Sequence, residues 1–219
     1  TAKQRRAAFD LLMKALDASE SRPRIRAASM LQCFSDFGVE AVPRLLVLLG
    51  RENDETMGFW LAHDIYLISA EPKPVKALLN VMQTNPATAK GVSDVFLGVL
   101  KLHPEREAEL LAAFAPMLGH ADPNTRFYAA NLLARLPTNP QASAIPALII
   151  ALAIKVPDWQ HVDQRSIDAL WGLKTLGPQA RSAAEDVRAF GATAAGKQVQ
   201  SRVLDTLAAI APDLRSEIP

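Results

Sequence analysis

The sequence predicts an all-α chain folded as an α–α superhelix, a solenoid of about five to six stacked helix pairs. Three observations predict it. One apolar pattern with helical spacing recurs along nearly the whole chain; residues that start and stop helices separate its copies; and no segment keeps strict apolar–polar alternation for more than a few residues.

The clearest copy of the pattern runs from Arg126 to Leu136. Three, four, seven and ten positions after Arg126 stand Ala129, Ala130, Leu133 and Leu136, which share one helix face. The same offsets from Ala27 give Met30, Leu31, Phe34 and Phe37; from Gly58, Leu61, Ala62, Ile65 and Ile68; from Ser166, Ala169, Leu170, Leu173 and Leu176. Two copies match less well. Ser93 leads to Phe96, Leu97, Leu100 and then polar His103, and Val203 to Thr206, Leu207, Ile210 and then Asp213. The start points are 31, 35, 33, 40 and 37 residues apart, an irregular period.

Each of these second helices follows another apolar helix: Ala7 to Leu16, Val42 to Leu49, Val75 to Met82, Leu110 to Leu118, Ile145 to Ile154 and Ala183 to Ala194. Stretches such as Arg44 to Leu49 and Ala147 to Leu152 are apolar on nearly every side, so neighbours must cover them on more than one face. Asp122-Pro123, Asn53-Asp54 and Ser21 to Pro23 suit helix starts, and Gly38, Gly119 and Gly177-Pro178 suit helix ends. The predicted organisation is one repeat domain over 1–219, with approximate repeats 1–38, 39–70, 71–104, 105–138, 139–177 and 178–219.

Composition sets the outer limits. With 49% hydrophobic and 21% charged residues the chain is neither disordered nor collagen-like, and a net charge of +1 gives no global field for nucleic acid or an anionic membrane. The apolar runs are broken by Pro146, Lys155 and Pro157, so no membrane span is expected. The single cysteine, Cys33, excludes an internal disulfide and is read as a small buried hydrophobe. The chain starts at Thr1 without Met, as after leader cleavage, terminal processing or trimming. A cytoplasmic protein is the expectation, with a leader-cleaved extracytoplasmic one as the alternative.

These residues resemble the HEAT repeat family and its armadillo and bilin-lyase-like relatives. Glu40 to Leu49 (EAVPRLLVLL) and Ser143 to Leu152 (SAIPALIIAL) look like the first HEAT helix with its early proline. Leu118 to Arg126 (LGHADPNTR), running into Phe127-Tyr128 and the small residues after them, looks like the family's Asp-Pro turn, arginine and second helix. Repeats one, three and six depart from the pattern. The resemblance implies a curved superhelix whose second helices line a concave surface, and it implies protein or nucleic-acid binding more often than catalysis.

Little in the sequence points to chemistry. His63-Asp64, His120 with Asp122 and His161 with Asp163 are three separate His/Asp neighbourhoods in different repeats, read as helix-face and loop residues rather than a metal site. The metal-dependent hydroxylases built on HEAT repeats use His-Glu pairs, and no His-Glu dipeptide occurs here. There is no phosphate loop, nucleophile elbow or His-Glu-x-x-His motif, so no catalytic residue, metal or cofactor is assigned. Glu105, Glu107 and Glu109 are given to the dipole of the helix they open. The HEAT-like DNA glycosylases need a cationic face with aromatics and a carboxylate; Trp60, Asp64, Asp168 and Trp171 are present, but residues 31–72 carry a net charge of −5, which repels phosphate. Residues 1–30 carry +4, read mainly as a polar end cap.

Aromatic placement marks the candidate surface. Trp60 and Tyr128 stand two positions into their second helices, and His63, Asn131 and Trp171 stand five positions in, off the main apolar face. Phe59 and Phe127 are assigned mostly to the core. Trp60, His63, Tyr128, Asn131, Arg135 and Trp171 form the expected partner-binding groove, with Asn131 and Arg135 bonding the backbone of a bound peptide. Trp159 and His161, in the long connection 155–164, form an expected partner-binding loop. The expected function is a non-catalytic scaffold that binds a protein or peptide partner through the concave groove, with the acidic stretch selecting basic partners. The alternative is a HEAT-like nucleic-acid-acting enzyme or a chromophore-lyase-like accessory factor. A third possibility is a structural subunit whose last repeat, with Ala192, Ala194, Ala195 and Gly196, is covered by another chain. The sequence sets neither the partner's identity nor an oligomeric state.

Overall fold

The computed structural model describes residues 1–34, 37–69, 74–153, 164–193 and 197–213. Among these residues all regular structure is helical: α1 Ala2–Ala15, α2 Ser21–Leu31, α3 Val42–Leu49, α4 Glu55–Ile68, α5 Val75–Thr84, α6 Ala89–Leu102, α7 Glu107–Phe114, α8 Pro123–Ala134, α9 Ile145–Leu152, α10 Gln164–Leu176, α11 Ala184–Thr193 and α12 Lys197–Ile210. Short 3-10 turns lead into α3, α6, α7, α9 and α11. None of these helices is long and apolar enough to cross a membrane. Contacts group the chain into two compact units, Thr1–Gly98 and Val99–Pro219.

In the first unit α1 packs on α2, α2 on α4, and α3 on both α4 and α5. At the crossing of α4 and α6 the two backbones touch, since a Cβ on Gly91 would lie 2.5 Å from Phe59 N and 2.8 Å from the Gly58 carbonyl carbon. Only glycine fits there. Further along the same pair Tyr66 and Phe96 meet edge-on at 6.2 Å. In the second unit α8 packs on α10 and α10 on α12, while α9 packs on α11, so second helices meet second helices and first helices meet first helices. A Cβ on Gly172 of α10 would lie 3.1 Å from Leu148 Cδ1 of α9 and 3.4 Å from Ala134 Cβ of α8. Ser166 Oγ donates to Ala151 O at 3.1 Å, and Thr206 Oγ1 donates to Arg202 O at 2.8 Å and to Leu170 O at 3.3 Å. Thr206 thus belongs to the buried face despite its hydroxyl.

The periodic face is found buried almost wherever the pattern is clear: Leu61, Ala62 and Ile65, Ala129 to Leu136 at the template offsets, and Ala169, Leu170, Leu173 and Leu176. The first copy is different. Helix α2 ends at Leu31 and Met30 is exposed, so the face expected from Ala27 through Phe37 does not form. The buried set is Ala27, Ala28 and Leu31, which are three, four and seven positions after Arg24. Arg24 is also the chemical counterpart of Arg126. Arg24 Nη1 donates to the carbonyls six and five residues back, Ala18 O at 2.9 Å and Ser19 O at 2.8 Å; Arg126 Nη1 does the same to His120 O at 2.6 Å and Ala121 O at 2.7 Å. The first copy therefore starts at Arg24, three residues earlier than the apolar pattern suggests. Phe34 and Phe37 pack instead on Phe9 of α1, at 5.9 Å and 4.9 Å between ring centres. Cys33, beyond the helix end, is exposed rather than buried.

Caps explain most boundaries. Asp54 Oδ1 accepts from Met57 N at 2.9 Å and Asp122 Oδ1 from Thr125 N at 2.9 Å, so both carboxylates hold a helix start. Gly177, with φ of 57°, closes α10 in the left-handed conformation that favours glycine. At α2 the cap position falls on Glu20, with no side-chain bond, rather than on Ser21. Glu107 does more than offset a helix dipole: it is buried and accepts from Thr138 N, Thr138 Oγ1 at 2.7 Å and Asn139 N at 2.7 Å, tying the turn after α8 to α7. Asn85 plays a similar part in the first unit, its Nδ2 donating to Leu49 O, Gly50 O and Glu52 O.

Two glycines of α6 test the close approach. In an open helix, glycine-to-alanine adds about 0.5–1 kcal/mol of stability. Gly98 has no neighbour within 4 Å of an added Cβ, so Gly98→Ala is expected to show that gain. Gly91→Ala is expected to lose about 2 kcal/mol or more in denaturant titration, because a backbone rather than a flexible side chain blocks the methyl.

Candidate functional site

Helix α4 carries the most developed surface feature of the first unit. Trp60 is 44% exposed, His63 is half-buried and Leu67 is exposed, and their i, i+3, i+7 spacing puts them on one side of the helix. Phe59 fills in behind: its ring lies 5.1 Å from Trp60 edge-on and 5.9 Å from His63 nearly parallel, and Trp60 and His63 meet edge-on at 6.1 Å. The three rings brace one another, with the indole at the outer edge of the cluster. Leu67 escaped the sequence analysis because it was sought among aromatics; its spacing from Trp60 and His63 is the signal that finds it.

Beneath this face lies Asp64, 1% exposed. Its carboxylate accepts from Ser29 Oγ at 3.0 Å and from Gln32 Nε2, both brought by α2 and the turn after it. His63 Nδ1 is 3.7 Å from Asp64 Oδ1, too far for a hydrogen bond, and is sealed without a partner. Burial pushes the Asp64 carboxyl above its ordinary range, while the Ser29 hydroxyl, the His63 ring and the Gln32 amide pull it back.

The second unit holds the other predicted groove residues, and it splits them. Trp171 on α10 is 49% exposed, and the Arg135 guanidinium lies 3.9 Å above its ring centre. Tyr128 and Asn131 are not surface residues: they are 3% and 1% exposed. The reason is the setting of α8, which has α7, α9 and α10 packed around it so that every residue from Phe127 to Ala134 is buried. Tyr128 meets Phe127 edge-on at 4.9 Å, and both amide atoms of Asn131 are sealed without a hydrogen-bond partner. The same offset that exposes Trp60 on α4 therefore buries Tyr128 on α8. Phe127 is buried and Phe59 half-buried. Trp159 and His161, the expected loop elements, lie outside the described residues.

The acidic stretch expected to select basic partners is largely used within the first unit. Glu40 binds Arg6 at 2.9 Å, Glu52 caps the Asn53 and Asp54 amides and faces Arg24 at 3.7 Å, Asp54 caps α4, and Asp64 is buried. The basic N-terminal helices supply the other half of these pairs, and Arg6 also lies over the Phe9 and Phe37 rings at 5.1 Å and 5.5 Å. Among the described residues no three His, Cys, Asp or Glu side chains come together to hold a metal ion. His120 Nδ1 instead accepts from Asp122 N at 3.1 Å.

The Asp64 environment makes a prediction with a definite sign. A carboxyl whose folded pKa is raised above its unfolded value adds stability that is fully present below the ordinary carboxylate range and is lost as pH rises through the raised value. Asp64→Asn keeps the shape and cannot ionise. Measured by denaturant titration between about pH 3 and about pH 7, the variant is expected to gain on the wild type as pH rises. Parallel stability curves would show that the carboxyl ionises as easily in the fold as in the unfolded chain.

No family model matches this chain, and no curated protein is significantly similar to it.

Proposed function

We propose that the chain is a HEAT-type α-solenoid that binds a protein partner, or a peptide segment of one, through exposed aromatic and apolar side chains on its second helices, and that it acts as a scaffold rather than a catalyst. The helix pairs, the packing of second helix on second helix within the second unit, and the matching Arg24 and Arg126 turn bonds support the repeat reading. One observation carries the binding reading: the braced Trp60, with His63 and Leu67 beside it, exposed on α4. A large ring braced by its neighbours has less entropy to lose on contact, and tryptophan is among the residues that dominate binding energy. Trp171 under Arg135 is the corresponding feature of the second unit.

The partner is selected by shape and apolar contact more than by charge, because the carboxylates of residues 40–64 discussed above already have partners inside the unit. Binding should therefore survive salt, which screens exposed charges over a Debye length of about 10 Å at 0.1 M.

Affinity capture from native lysate with nuclease present, at low and high salt, tests the proposal. A defined protein retained at high salt is expected. Trp60→Ala with Leu67→Ala is expected to weaken its capture about 30-fold or more, with the helical circular-dichroism signal unchanged. Trp171→Ala does the same if the second unit shares the contact. Recovery of nucleic acid alone, lost at high salt, overturns the proposal; unchanged capture by the variants moves the surface elsewhere.

A further inference from the structure

His63 and Asp64 lie side by side on α4 beneath Trp60. His63 Nδ1 is sealed from solvent without a hydrogen-bond partner, and Asp64 Oδ1 is only 3.7 Å away. A buried ring nitrogen left in that state is costly, and a small ring movement would close it to hydrogen-bond distance. What opposes the movement is the packing of the imidazole on Phe59 and against Trp60.

We propose that His63 and Asp64 act as a proton latch under the exposed Trp60 face: on gaining a proton His63 closes its Nδ1–H onto Asp64 Oδ1 and shifts its ring against Phe59 and Trp60, and on losing the proton it returns. Protonation turns a neutral contact into a charge-assisted one across a buried gap, while the ring contacts gain nothing comparable. The surroundings leave the pair to itself. The α2 side faces Asp64 with neutral Ser29 and Gln32. On α2, Arg24 is engaged at the Ala18 and Ser19 carbonyls, and Arg22 and Arg26 are exposed. Arg44 of α3 binds Asp17, the 3-10 turn Pro86–Thr88 carries no ionisable side chain, and Lys90 and Asp94 of α6 bind each other at 2.6 Å. Burial raises the Asp64 carboxyl while His63 pulls it back, so the two groups act on each other. Any effect on partner affinity rests on the binding proposal above; the latch itself is tested on the free chain.

The test is a pH titration of the whole labelled chain by NMR, following the His63 imidazole, assigned through His63→Gln, and the Trp60 indole N–H, assigned through Trp60→Phe. In the wild type both signals are expected to move with one midpoint. Asp64→Asn should lower the His63 midpoint by about one pH unit and uncouple the indole from it. Gln32→Leu removes a competing donor, so it should raise the midpoint, and it decides the matter alone if Asp64→Asn does not fold. A His63 midpoint unmoved by the substitutions, or an indole signal that does not follow His63 in the wild type, overturns the latch.

Discussion

Close contact between neighbouring helices is the constraint on which the rest of this structure depends. Two helices packed through Leu and Phe stand about 8–10 Å apart, and a third element can slide between their turns. At Gly91 the α6 backbone lies against Gly58 and Phe59 of α4, leaving no room for a methyl group. Gly172 of α10 comes nearly as close to Leu148 and Ala134, and Gly191 of α11 to Val203, where an added Cβ would meet Cγ1 at 2.7 Å. Such contacts need small residues at fixed places. They explain why alanine and glycine, poor contributors of buried area, fill so much of the inner faces of these helices.

Close packing leaves the turns between helices as the place where polar groups must be satisfied. A turn pressed against a neighbouring turn loses water from its carbonyls and amides, and each unmet group costs about 1–3 kcal/mol. Glu107, itself buried, meets this by accepting from two amides and a hydroxyl, while Arg24 and Arg126, reaching back to two carbonyls each, and Asn85, donating to three, bond carbonyls that are partly exposed. These side chains lock each turn to its own helix or to the next pair. The apolar faces decide that helices stack, and these bonds decide the register in which they do.

That division also accounts for what could be read in the sequence. The helical faces from Gly58, Arg126 and Ser166 were legible because the face a helix turns to its nearest neighbour repeats every 3.6 residues. The start of the first copy was not, since Phe34 and Phe37 continue the period beyond the end of α2 while belonging to a cluster on Phe9. The burial of Ala27, Ala28 and Leu31 and the Arg24 bonds to Ala18 and Ser19 point to the earlier start. The role of Glu107 was hidden for a similar reason: its partners, Thr138 and Asn139, lie thirty-odd residues away. Tyr128 and Asn131 failed as surface residues because exposure depends on how many helices surround a position, and offset along one helix carries no such information. The exposure of Trp60 and Trp171 has the same origin and the opposite outcome.

Where carboxylates are taken up by ion pairs and caps, as Glu40, Glu52 and Asp54 are, apolar and aromatic side chains are left to make contacts outward. On α4 these are a tryptophan, a half-buried histidine and a leucine above a buried carboxylate. Aromatic contact alone is insensitive to conditions, and a buried carboxylate alone reaches no partner. Histidine joins the two, since one edge of its ring belongs to the aromatic cluster and the other faces Asp64. Asp64, whose burial costs stability when the group ionises, thereby sits directly behind the exposed Trp60 and Leu67 of the same helix.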